Sequence, residues 1–290
     1  MSSLIIVRGG GDLATGVVQS FYRSGFRVLI LETARPSAVR RGASLCEAVY
    51  DGIAKVEDMT CHRITELKEA ENCWEQGVIP LIIDPDAASI KEIKPAAVID
   101  AIIAKRNLGT SRSMAEITIA LGPGFTAGED VDVVIETLRG KDLGKLIFSG
   151  QASDDTGVPG EIAGESSRRV VRAPVAGVVS HVRKIGDTVK QGEVILVIGR
   201  EKSGDTQPAC VEVRAPIGGV LRGLIREGFD VIDNMKIADI DPRADVDRQA
   251  ISDKANRVGS AALEAFLLCS DKTATASPTE KGEGYDKNSS

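Results

Sequence analysis

Leu4–Gly16 reads LIIVRGGGDLATG. Leu4–Val7 and Arg8 run into three consecutive glycines, and a helical pattern then continues to Ser24. Gly9 and Gly11 with Ala14 fit the G-x-G-x-x-A form of the dinucleotide fingerprint. Small residues are needed there because a strand must turn sharply into a helix, whose bare N–H groups can then face a phosphate. Gly25 closes the helix, and residues 26–32, FRVLILE, form a second buried strand ending on Glu32. That acid stands about 20 residues after the glycines, where a ribose-binding carboxylate is expected. The order of strand, helix, strand and acid marks Gly9, Gly10, Gly11, Asp12, Ala14 and Glu32 as candidate ligand-binding residues. The same glycines would also serve a turn that only lets helix and strand pack closely.

At 290 residues the chain exceeds one typical core and suggests two domains plus extras. Hydrophobic residues make up 42% and charged residues 27%, enough for substantial cores in a soluble chain. A net charge of −6 and 3% aromatics argue against a nucleic-acid or anionic-membrane surface as partner. No targeting segment leads into the first strand, and no apolar run is long enough to span a membrane. The five cysteines are odd in number and scattered, as in a reduced, cytoplasmic protein.

Four continuous apolar runs, Leu4–Arg8, Arg27–Glu32, Ile79–Asp84 and Ala97–Ile103, predict a parallel sheet covered on both faces. Thr65–Gly77 predicts a helix of about three turns, and EDMTCHRI before it a short edge strand. A Rossmann-like doubly wound domain over 1–110 follows. Short strands separated by glycine turns predict a small β-rich region and linker over 111–168.

Next comes an internal repeat. RAPVAGVVSHVRKIGDTVKQGEVILVI (Arg172–Ile198) matches RAPIGGVLRGLIREGFDVIDNMKIADI (Arg214–Ile240) at a constant offset of 42. Two copies of one four-stranded half predict an all-β barrel-sandwich hybrid of the biotinyl/lipoyl type over 169–242. A helix over 243–269 and a disordered tail over 270–290 complete the expected order. A carrier lysine would stand on the hairpin between the halves. That junction is long and hydrophilic around Lys202, and the Met235-Lys236 pair lies in the last strand, so a swinging arm is not expected.

Beyond the fourth strand, Lys105 and Arg106 stand where ligands of open α/β sheets bind, and could meet a phosphate or carboxylate. Gly122 and Gly124, in LGPGFTAGEDV, could wrap an anion with backbone amides or shape a rigid turn. Arg35, Arg40 and Arg41 follow the second strand, where a ribose 2′-phosphate would lie or where plain surface charge would do. The two histidines, His62 and His181, and the absence of a cysteine cluster or Gly-x-Ser-x-Gly elbow leave no metal site and no hydrolase triad. Cys46 reads as a buried small hydrophobe.

The string VRGGGDLATGVV, AVRRGASLCEAVYDG, VIDAIIAKRNLGT, LGPGFTAGEDVDVVIETLRGKDLG, DDTGVPGEI and the RAP-x-x-G repeats resembles the accessory proteins of selenium-dependent molybdenum hydroxylases. More loosely, it resembles the xanthine dehydrogenase maturation factors. The resemblance spans about residues 4–268 and implies a cytoplasmic helper that matures or inserts a molybdenum cofactor into a client hydroxylase. It supplies no catalytic residues. The ligand expected over Gly9–Gly11 is NAD(P), another nucleotide or a molybdopterin dinucleotide, and the partners are the client enzyme and, open from sequence, a second copy of the chain. Two rival readings stay open: an NAD(P)-dependent oxidoreductase, and a non-catalytic scaffold with a lipoyl-like docking module.

Overall fold

In the computed structural model, residues 3–157, 160, 161, 163–200, 209–243 and 247–275 are described. The strand β1 (Leu4–Arg8) passes through the glycines into α1 (Asp12–Arg23), and β2 (Arg27–Glu32) returns parallel to β1. After α2 (Ala48–Asp51), β3 (Ile53–Val56) and β4 (Met59–Ile64) form an antiparallel hairpin turned at Glu57-Asp58. Then follow α3 (Glu69–Glu75), β5 (Ile79–Ile83), α4 (Ile90–Ile93), β6 (Ala97–Asp100) and β7 (Ile117–Leu121). Four short strands come next: β8 (Thr126–Ala127), β9 (Val133–Ile135), β10 (Leu146–Ile147) and β11 (Gly150–Gln151).

Nine of these strands make one sheet in the order β10-β9-β7-β6-β1-β2-β5-β4-β3, and β8 pairs with β11 as a separate ribbon. Its middle is parallel and its two outer pairs, β3–β4 and β9–β10, are antiparallel. Alternate residues sort to opposite faces, as strand geometry requires. Ile5, Val7, Val28 and Ile30 face one core, Ile6, Leu29 and Leu31 the other. The first face is covered by α1 and the last helix, α5 (Asp253–Thr275); the second by α3, α4 and the β8–β11 ribbon.

Between the ribbon and α5 the chain forms two antiparallel sheets. Their strands are β12 (Val170–Arg172), β13 (Gly177–His181), β14 (Thr188–Val189), β15 (Val194–Arg200), β16 (Ala209–Arg214), β17 (Gly219–Leu224), β18 (Asp230–Val231) and β19 (Lys236–Asp241). One sheet runs β12-β19-β17-β14 and the other β16-β15-β13-β18. At the offset of 42, β13, β14 and β15 correspond to β17, β18 and β19. Each repeat lends strands to both sheets, so neither copy closes a core alone, and they share one.

The expected class, a Rossmann-like doubly wound parallel sheet followed by a biotinyl/lipoyl-like barrel-sandwich hybrid, is therefore corrected. The structure has a mixed nine-stranded sheet with two small four-stranded sheets and a ribbon. The reason is local. Two residues between β3 and β4 leave room only for a hairpin, and β6 connects to β7 without a crossover helix. Strands expected in a separate region after residue 110 extend the same sheet. The helix over 243–269 begins at Asp253 and runs to Thr275, into the segment expected to be a tail. The Lys202 hairpin and residues 276–290 lie outside the described residues. No described helix is long and apolar enough to cross a membrane.

The small sheets are tied to the large one through the loop after β2. Leu224 N–H donates to Val39 O at 2.9 Å, and Arg41 Nε donates to Leu224 O at 2.8 Å. Arg226 reaches Glu47 at 2.8 Å and lies over the Tyr50 ring, 4.4 Å from its centre.

Candidate functional site

The strand order reverses at β1, which has β2 on one side and β6 on the other. At such a point the carboxyl ends of two neighbouring strands open into a crevice. Arg8 and Asp100, at those two ends, are both buried and lie 3.7 Å apart. Thr110 Oγ donates to Asp100 Oδ2 at 2.6 Å, and Arg8 reaches the Thr110 hydroxyl and Pro85 O. This knot pins both ends of the loop after β6. Within that loop Ile103 and Lys105 both hold φ of 60°. Left-handed backbone at non-glycine residues costs of order 1–3 kcal/mol each and concentrates where a site needs it.

The expected phosphate cradle is not open in the expected way. Gly9 (φ 96°) brings its backbone against the Ala101 carbonyl, where a Cβ would sit 3.0 Å from the oxygen. Gly10 N–H donates to Glu32 Oε2 at 2.7 Å, while Glu32 Oε1 accepts from Thr33 N–H at 2.7 Å. Glu32 thus fills the place assigned to a ligand and is half-buried, and desolvation pushes its carboxyl above the usual range against those two hydrogen bonds. Ala14 is core. Gly11 caps α1 with open space around it, and Asp12 in the first turn faces Arg40 at 2.9 Å. Gly122 and Gly124 are packing glycines: side chains there would meet Thr137 Oγ at 2.6 Å and the Arg106 backbone at 2.6 Å. Lys105 reaches the crevice, paired with Asp155, and the neighbouring Arg106 is exposed outside it. Cys46 is buried, and burial raises its thiol well above the ordinary value, so it is no nucleophile.

What the structure assembles instead is a cleft of about 650 Å³ between the crevice and the small sheets. Eight Lys and Arg side chains line it against four Asp. Asp12 and Leu13 bring the N-terminus of α1, and Ser252 and Lys254 that of α5. Arg139 stands after β9, and β12, β17 and β19 supply Arg172, Arg222 and Lys236 with Asp239. Asp239 is 1% exposed, takes Arg169 at 2.6 Å on Oδ1, and takes Arg222 at 2.7 Å on Oδ2. Lys236 and Lys254 form no hydrogen bond or ion pair among the described residues. Burial lowers both ammonium groups: Asp239 opposes this at Lys236, and Arg139 adds to it at Lys254.

Of the sequence-marked residues, only Asp12 and Lys105 line this cleft, together with Arg40. Lys236 stands in the sequence only as half of the Met235-Lys236 pair, and for Arg222 and Asp239 the signal lies in the repeat. Where the first copy has Val194, Val197, Gly199 and Ser180, the second has Lys236, Asp239, Asp241 and Arg222. Charge replacing apolar or small residues inside a buried strand marks the wall of a polar site. No group of three or more residues suited to hold a metal occurs among the described residues.

No family model matches the chain. It is 46% identical over 266 residues to an uncharacterized protein, YqeB, of Escherichia coli (strain K12), covering 91% of this chain and 47% of that protein. The chain thus spans about half the length of this curated relative. Among solved structures it aligns with an aspartoacylase family protein from Mesorhizobium loti (11% identity, 84% of this chain and 87% of that one, TM-score 0.28). It also aligns with a succinylglutamate desuccinylase from Silicibacter sp. TM1040 (12%, 82% and 84%, TM-score 0.26) and with the product-bound ectoine utilization protein EutE of Ruegeria pomeroyi (13%, 83% and 58%, TM-score 0.24). Scores this low carry neither fold nor activity over to this chain. The expected membership among accessory proteins of selenium-dependent molybdenum hydroxylases is corrected by these findings. No family model supports it, and the curated relative it matches is itself uncharacterized. The maturation function, with the oxidoreductase and lipoyl-scaffold rivals, falls with it.

Proposed function

We propose that the protein binds a small polyanion, a phosphate ester or a polycarboxylate, in the cleft between the nine-stranded sheet and the small sheets. The observation that carries this reading is an excess of cations: even without Lys236, seven Lys and Arg side chains line the cleft against four Asp. Lys254 forms no ion pair among the described residues, and of the acids near it Asp12 is taken by Arg40, Asp155 by Lys105 and Glu136 by the Leu138 and Ser153 N–H groups. The N-termini of α1 and α5 add partial positive charge from two directions. A unit charge about 4 Å away at an effective dielectric near 20 is worth roughly 4 kcal/mol before desolvation, so a ligand with two or more charges is favoured. A volume of about 650 Å³ suits a metabolite-sized molecule.

Calorimetry with inorganic phosphate, pyrophosphate and citrate, at low and high salt, tests the reading. Binding should weaken with salt and fall about tenfold or more in Lys254→Met, a loss of about 1.4 kcal/mol. No heat with any of the three at low salt would overturn it.

A further inference from the structure

The two unpaired lysines of the cleft differ in their surroundings. Lys254 opens α5, with Asp12, Glu136 and Asp155 close enough to favour its charge. Lys236 stands on β19 between Arg169, Arg222, Asp239 and Asp12. Neither acid beside it is available as a counter-ion. Both oxygens of Asp239 are taken by guanidinium groups, and Asp12 accepts twice from Arg40, at 2.9 and 3.0 Å. An ammonium at Lys236, half-buried in the wall of the cleft, would be a third cation around one carboxylate. A free amine avoids that cost, and a desolvated lysine beside other cations is an activated nucleophile.

We propose that Lys236 is the nucleophile of the cleft and forms an imine with a carbonyl compound that also carries a carboxylate or phosphate. The anionic part of this assignment rests on the binding reading above. The nitrogen lone pair forms the new bond to the carbonyl carbon as the C=O π pair moves onto oxygen. Both amine protons leave with that oxygen as one molecule of water, so no oxidant or reductant is consumed. Lys254 and Arg139 hold the anionic end, and the cations beside Lys236 keep its amine free of a proton.

The test uses the full chain with glyoxylate, pyruvate or dihydroxyacetone phosphate, each with borohydride, followed by peptide mapping. The expected result is one reduced adduct on Lys236, lost in Lys236→Arg. A second measurement needs no variant: trace acetylation across pH should titrate Lys236 below the ordinary lysine value of 10.5, each unit making about tenfold more free amine at neutral pH. Anion binding with no adduct on Lys236 from any probe overturns the inference and leaves the binding reading standing. Acetylation of Lys236 at or above the pH of exposed lysines overturns it as well. An adduct on Lys236 without binding of phosphate, pyrophosphate or citrate supports the nucleophile and overturns the polyanion reading instead.

Discussion

Gly259 on α5 and Gly16 on α1 touch backbone to backbone: a Cβ built on Gly259 would lie 2.1 Å from the Gly16 carbonyl oxygen. In return, a Cβ on Gly16 would lie 2.3 Å from the Ala255 carbonyl. No side chain can fit between these helices, so their spacing is set by the two glycines. That spacing seats the first turn of α5, with Ser252 and Lys254, beside Asp12 at the start of α1. Phe266 then closes an edge-to-face cluster with Phe21 and Phe26 further along. Gly259→Ala should destabilise the fold by about 3 kcal/mol, the upper range for overpacking. It should also weaken anion binding by moving Lys254. Urea unfolding and phosphate titration check both; a loss below about 0.5 kcal/mol would show that the helices can separate freely.

Several elements of the large sheet were legible because their signals are local. Continuous apolar runs placed β1, β2, β5 and β6, and the 42-residue offset announced that β13–β15 and β17–β19 are copies. The mixed edges were not legible. Ile53–Val56 does not stand out as a strand, and its turn at Glu57-Asp58 falls inside EDMTCHRI, which reads as a single edge strand, so the hairpin is hidden. For the site, the glycine fingerprint points to the crevice beside β1, where Glu32 meets Gly10 N–H. A carboxylate at the end of β2 can bind a ribose or its own chain's Gly10 N–H, and only geometry separates the two. Lys236 reads in the sequence only as half of a Met-Lys pair, and Asp239 carries no motif at all, because the agreement of the repeats hides where they differ. The chemistry lies where they disagree.

Asp239 holds Arg169 and Arg222 together in a place with almost no solvent. Asp239→Ala leaves Arg169 without its carboxylate partner and Arg222 with only the buried Asp241, 3.6 Å away. The expected cost is about 3–5 kcal/mol, typical of removing one partner from a buried pair. An anion in the cleft would replace part of the lost charge, so phosphate should stabilise this variant more than the parent protein. Thermal unfolding with and without phosphate measures the difference, and equal stabilisation of both proteins would count against a ligand at this cluster.

Glu32 makes stability depend on pH in a stated direction. Burial raises its folded carboxyl above the ordinary 4.5, even though Thr33 and Gly10 N–H groups oppose this. The folded state therefore holds its proton more tightly than the unfolded chain. Its contribution is fully present below the unfolded value and is lost as pH rises through the folded one. In Glu32→Gln this dependence disappears. Denaturant midpoints of the two proteins, followed from acid conditions to neutrality, should show the parent losing ground relative to the variant as pH rises. A constant difference across that range would mean that Glu32 titrates alike in the folded and unfolded states.

Arg226 joins the small sheets to the large one through charge and ring together. Its guanidinium reaches Glu47 at 2.8 Å and Asp51, over the face of Tyr50. Glu47 is largely buried, and its Oε1 has no hydrogen-bond partner. Burial pushes its carboxyl up, while Arg41 and Arg226 hold it down. Arg226→Met keeps apolar contact with Tyr50 and removes the nearer of the two cations, leaving Arg41 at 3.6 Å. Because the pair is only partly shielded, a loss of about 2 kcal/mol at neutral pH is expected. In the variant Glu47 takes up a proton more readily, and a neutral carboxyl needs no cation. The loss should therefore shrink as pH falls toward the carboxylate range. Urea unfolding of both proteins at mildly acidic and mildly alkaline pH reads this directly. An identical loss at both would assign the contribution of Arg226 to its stacking on Tyr50 rather than to its charge.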